Sequence, residues 1–167
     1  MASSLSWWGS KVRQFRSHLR ASVGPEERAR LATWTTPAQL EVFDAMHIAD
    51  QRHGLDVVAT LRGEGVTDAE LLLAGLLHDA GKGETPVGPR IAYALGQRYG
   101  SWAPTAARVV PGWAAALDRL RDHAESSARI AAGAGCSPRT VELIRHQDAP
   151  LADDEGGRLL QLADEAN

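Results

Sequence analysis

Thr67-Asp68-Ala69-Glu70-Leu71-Leu72-Leu73-Ala74-Gly75-Leu76-Leu77-His78-Asp79-Ala80-Gly81-Lys82-Gly83 is the stretch that decides the fold. Thr67 followed by Glu70 reads as a capping box, with Thr67 at the N-cap and Glu70 at the third helical position. From Ala69 to about Asp79 the segment is apolar almost all round, the pattern of a helix buried on every side rather than along one stripe. Gly81 and Gly83 supply the stop. His78-Asp79 falls where this helix leaves the core. A coordinating or charged pair there is costly unless it is ion-paired, hydrogen-bonded or bound to a metal.

The flanking sequence is helical on both sides. Pro25-Glu26-Glu27 starts one helix. Thr36-Pro37 opens another that runs through Leu40, Val42, Phe43, Met46 and Ile48. Asp56 to Arg62 continues helical until Gly63-Glu64-Gly65 interrupts. Beyond Gly83 a Gly- and Pro-rich stretch reaches Pro111, with a helix around Ile91 to Arg98. Further helices are expected at Trp113 to Ala132, Pro138 to Arg145 and Gly157 to Ala166. Strand alternation, internal repeats and low-complexity tracts are absent. The sequence therefore predicts an all-α bundle of about seven or eight helices, forming a single domain over residues 1–167.

Size and composition agree with that reading. A chain of 167 residues suits one domain with one core, and 44% hydrophobic with 23% charged residues disfavours both disorder and a coiled-coil rod. The net charge of −3 implies no general attraction to nucleic acid or anionic membranes. No apolar run is long enough to span a bilayer, and the N-terminal residues lack the apolar centre of a secretory signal, so the cytoplasm is the expected compartment. The lone Cys136 supports no disulfide framework and is read as inert. Residues 1–24 place Leu5, Trp8, Val12, Phe15 and Leu19 at helical spacing among Lys11, Arg13, Arg16 and Arg20, a basic amphipathic helix. Such a helix can lie on an anionic membrane surface. Packing of its stripe on the domain, or on a second copy in a homodimer, is the stronger expectation.

Six histidines against two Tyr and two Phe is the compositional feature that asks for chemistry. His53 lies on the helix before His78, and an antiparallel pair joined at 63–65 brings the two together. Asp164 adjoins the apolar face of the terminal helix. Two His and two Asp on three helices form a plausible nest for a divalent transition metal such as Mn²⁺, Fe²⁺, Co²⁺, Ni²⁺ or Zn²⁺. His123 and His146, on the next two helices, add imidazoles beside Asp79, whose two oxygens can bridge a second ion. Asp50-Gln51-Arg52, just before His53, reads chiefly as an exposed turn, with a supporting hydrogen bond or substrate contact as the other reading. His18 and His47 are read as surface or packing residues.

The order His53, His78-Asp79, His123, His146, Asp164 resembles the HD superfamily of metal-dependent phosphohydrolases over about residues 40–167. His78-Asp79-Ala80-Gly81-Lys82 is similar to its His-Asp-Ile-Gly-Lys signature, with Ala for Ile. His123-Ala124-Glu125-Ser126-Ser127-Ala128 is similar to a later His-Pro-Glu-x-Gly-Ala segment. Leu143-Ile144-Arg145-His146-Gln147 is similar to a stretch that usually holds a His-His pair, with Gln147 in place of the second His. The resemblance implies an HD-type helical bundle in which His53, His78, Asp79 and Asp164 ligate one metal while Asp79, His123 and His146 hold a second. It implies Asp79 and Lys82 as catalytic residues, Lys82 meeting the substrate phosphate, and a metal-activated water as nucleophile. The expected activity is hydrolysis of a small phosphate mono- or diester, nucleotide-like compounds first, with Arg90, Arg98 and Arg108 at hand for anionic groups, although each taken singly reads as an ordinary solvated arginine.

Departures from the family pattern narrow this. No Gly-Tyr-Pro follows His123, which disfavours the cyclic-dinucleotide phosphodiesterase branch. Gln147 weakens the second metal position. Two other readings compete: a di-iron oxygenase of the same superfamily, against which Lys82 argues, and a non-catalytic HD binding module, against which the full ligand set argues.

Overall fold

The computed structural model describes residues 21–100 and 102–167, the side chains of Gln97 and Arg98 excepted. Among the described residues there are ten α-helices, one three-residue 3₁₀ turn and no strand. The helices are α1 (Pro25–Leu31), α2 (Pro37–Ala45), α3 (Ile48–Gly63), α4 (Ala69–Leu77), α5 (Val87–Tyr99), α6 (Trp102–Ala107), α7 (Trp113–Arg121), α8 (His123–Gly133), α9 (Pro138–Arg145) and α10 (Glu155–Ala166), with the turn Ala80–Lys82 after α4. The expected helix over residues 1–24 falls largely on residues 1–20, which lie outside the described residues. Residues 21–24 are not helical.

α4 is the central rod. Leu71 to Leu77 are all buried, and α2, α3, α9 and α10 pack around them. Phe43, Val57, Leu61, Leu76, Leu77, Leu143, Ile144 and Leu160 close one core from five helices. Truncating one of the central leucines to alanine there would cost about 2–5 kcal/mol. α3 approaches α4 so closely that a Cβ at Gly54 would lie 2.5 Å from the Leu76 carbonyl oxygen. That contact sets His53, the residue just before Gly54 on α3, beside the C-terminal end of α4. No described helix is long and apolar enough to cross a membrane.

The structure has more helices than the seven or eight expected because two of the expected ones are broken without Gly or Pro. The helix from Pro37 ends at Ala45. Met46 is extended and turns into the core at 7% exposure, and His47 caps the next helix, its Nδ1 accepting from the Ala49 N–H at 3.2 Å. His47 is thus a helix cap rather than a bystander. The helix expected over Trp113 to Ala132 breaks at Asp122, where the His123 ring folds back onto the Leu120 carbonyl. α6 adds a helix in a stretch read as loop, with Pro104 tolerated in its first turn. At the start of α4 the cap is Asp68 rather than Thr67: its carboxylate accepts from the Glu70 N–H at 2.9 Å. A charged acceptor there also complements the positive end of the helix.

Candidate metal centre

His78 is the C-cap of α4 and is 2% exposed; Asp79 follows at 2%. His53 comes from the middle of α3 and Asp164 from the last turn of α10. His53 Nε2 lies 2.7 Å from Asp164 Oδ1, and His78 Nε2 lies 3.4 Å from the same oxygen. Asp79 receives three imidazoles: His78 Nε2 at 3.5 Å and His123 Nε2 at 3.7 Å from Oδ1, and His53 Nε2 at 3.9 Å from Oδ2. Lys82 Nζ donates to Asp79 Oδ2 at 2.5 Å. His53, His78 and Asp79 each offer one ligand atom within 4.8 Å of the other two, a group that can hold a metal ion.

The backbone prepares the two buried imidazoles in the same way. His78 Nδ1 is 2.9 Å from the Gly75 carbonyl oxygen, and His123 Nδ1 is 2.7 Å from that of Leu120, each three residues back. A carbonyl only accepts, so each Nδ1 carries the proton and each Nε2 faces the carboxylates. Fixing Nδ1–H on a carbonyl is how metal-ligating histidines are held in the right tautomer. His78 Nε2 and Asp79 Oδ1 are buried and have no hydrogen-bond partner. Two orphaned atoms side by side, an imidazole nitrogen and a carboxylate oxygen, are of the kinds that ligate a metal ion.

The charges around this group are strongly interdependent. Burial works against a proton on His78, but the Asp79 and Asp164 carboxylates outweigh it and push the imidazole up to about 9. Burial alone would raise Asp79, yet His78, Lys82 and His53 hold its carboxyl well below the usual range. Asp164, whose side chain is 41% exposed, is likewise driven down by His53 and His78 against its desolvation. Desolvation opposes the charge on Lys82, and Asp79 and Asp50 retain it.

The structure thus brings together His53, His78, Asp79, Lys82, His123 and Asp164. It sets His146 apart: the side chain is 36% exposed and its Nε2 lies 3.6 Å from Glu142 Oε2 on its own helix. Gln147 is buried, and its Nε2 donates to the His78 carbonyl oxygen at 3.2 Å, bracing the α4 terminus from behind. Asp50 is not an exposed turn. It is 4% exposed and forms a two-pronged ion pair with Arg90, 2.7 Å at each prong. Arg90 is therefore already engaged, and Arg108 pairs with Asp118 at 2.9 Å on the surface. The Arg98 side chain lies outside the described residues.

No family model, curated protein or solved structure matches this chain. Site and fold alone carry its reading. Sequence spacing held one clue to the buried acid: Asp50 precedes His53 by one helical turn and so shares its face. Its partner Arg90, far along the chain, had no such signal.

Proposed function

We propose that this protein is a metal-dependent phosphohydrolase of the HD type, acting on a small phosphate mono- or diester, nucleotides being the leading class. The observation that carries the reading is the pair of orphaned buried atoms, His78 Nε2 and Asp79 Oδ1, with the Lys82 ammonium on the other oxygen of the same carboxylate. His53, His78, Asp79 and Asp164 would hold one divalent cation, and His123 would stand behind Asp79. A cation bound there supplies Lewis acidity, which makes a water nucleophilic near neutral pH and offsets phosphoryl charge.

The chain's own contribution is placement and charge. The Gly75 and Leu120 carbonyls hold the Nδ1–H of both imidazoles, so that Nε2 is the nitrogen each ring turns toward a cation. Lys82, 23% exposed, stands beside the fully buried His78 and Asp79, where its fixed positive charge can meet a phosphate oxygen. Asp79 holds that ammonium in place until an anion competes for it.

Incubating the purified protein with Mn²⁺, Co²⁺ or Fe²⁺ and a panel of phosphate mono- and diesters tests the reading. Metal-dependent release of phosphate or alcohol is expected, falling by on the order of 10²-fold or more in Asp79→Ala and Lys82→Met. Absence of hydrolysis with every metal would overturn it, and dioxygen consumption by an iron-loaded sample would transfer the site to oxygenase chemistry.

A further inference from the structure

From the sequence Arg90 reads as an ordinary solvated arginine that an anionic substrate could also use; in the structure its guanidinium is already engaged on both prongs and at Nε. Nη1 and Nη2 clasp both oxygens of Asp50 at 2.7 Å, Nε donates to the Thr85 carbonyl at 3.0 Å, and Nη2 stands 3.5 Å from the Gly83 carbonyl. Thr85 is 5% exposed, and its hydroxyl donates to the Lys82 carbonyl oxygen at 2.7 Å. Asp50 lies one turn before His53 on α3. A continuous chain of bonds therefore runs from the helix carrying His53, through Asp50, Arg90 and Thr85, to the backbone of Lys82.

We propose that Arg90 and Thr85 are positioning residues, through which the placement of Lys82 is tied to that of His53. The proposal rests on the phosphohydrolase reading above. A planar guanidinium is suited to the task, since its five donors leave in fixed directions and can serve a carboxylate and a backbone carbonyl at once; a lysine offers no such fork. The segment 83–86 would otherwise be a loop with few anchors, and it joins the 3₁₀ turn to α5. Arg90 fastens it to α3, and Thr85 transmits that anchorage to Lys82. The two links are separable. The Thr85 hydroxyl bears on the Lys82 backbone alone, whereas the Asp50–Arg90 pair also bears on α3 and hence on His53.

That separation gives the test. Wild type, Thr85→Val and the double variant Asp50→Asn/Arg90→Gln are compared. The double variant is used because Arg90→Gln alone strands a buried carboxylate and risks the fold. Folding is checked by far-ultraviolet circular dichroism, Mn²⁺ binding by loss of the free-ion paramagnetic resonance signal, and turnover with the most active chromogenic phosphate ester at saturating Mn²⁺. Thr85→Val is expected to keep wild-type Mn²⁺ affinity while kcat falls about tenfold, and the double variant to lose about tenfold in both, in the range seen for residues that support ligands from behind. A general loss of stability would not produce that split. If wild type binds Mn²⁺ and turns over, and both folded variants match it, the positioning proposal is overturned and the functional reading stands. If wild type neither binds Mn²⁺ nor hydrolyses any ester, the functional reading fails and takes the proposal with it.

Discussion

Gly81 and His123 stand closer than a side chain at position 81 allows: a Cβ there would lie 2.5 Å from the His123 carbonyl oxygen and 2.6 Å from the Ser127 nitrogen. Both are backbone atoms and cannot swing aside. The Gly81 N–H also donates to Ser127 Oγ at 2.8 Å, so the turn carrying Lys82 is locked onto the helix carrying His123. Gly81→Ala is expected to destabilise the protein by about 1–3 kcal/mol through overpacking and to weaken Mn²⁺ binding. Urea unfolding and metal titration of the same sample check both; unchanged values in both would mean the contact is looser than described.

Proton and metal compete for one nitrogen of His78. Its folded value of about 9 lies above the ordinary 6.5. The stability this contributes to the metal-free protein is complete below about 6.5, declines as pH rises and is gone above about 9. A cation needs the unprotonated nitrogen, so metal affinity should climb about tenfold per pH unit across that window. Calorimetric titration in buffers of different ionisation enthalpy should report release of about one proton at pH 7.5. A binding heat independent of the buffer would contradict this.

The helix start can be tested by two single substitutions. Asp68→Ala removes the carboxylate that accepts from Glu70 N–H and is expected to cost about 1 kcal/mol. Thr67→Ala should change stability by less than about 0.5 kcal/mol. Chemical denaturation ranks the pair, and the reverse ranking would restore Thr67 as the cap.

Metal stoichiometry separates the two ligand sets. Because His146 sits with Glu142 rather than with Asp79, wild type is expected to bind about one ion tightly per chain, as sites with one closed ligand group do. His146→Ala should leave that content unchanged, while His53→Ala should abolish it. Elemental analysis of dialysed protein decides, and two ions in wild type falling to one in His146→Ala would show that the residue swings inward.

What was legible in the sequence was whatever depended on local chemistry. The all-apolar run Leu71 to Leu77 announced a buried rod, and His78-Asp79 at its end announced a cluster. Gly63-Glu64-Gly65 announced the hairpin that returns His53. The breaks at Met46 and Asp122 were invisible because no Gly or Pro marks them; at each an imidazole bonds to backbone, His47 to the Ala49 N–H at the start of α3 and His123, first residue of α8, to the Leu120 carbonyl of α7. The Asp50–Arg90 pair was hidden because it spans helices that meet only in the folded molecule. Arg90 could not be told from a solvated arginine until its carboxylate was found.

His53 and Asp164 are 111 residues apart in sequence and 2.7 Å apart in space. A cation gripping both would act as a removable stitch across most of the described chain. Its presence would be felt as kinetic resistance: slower unfolding and slower proteolytic nicking in excess metal, reversed by a chelator, without any change in the fold itself.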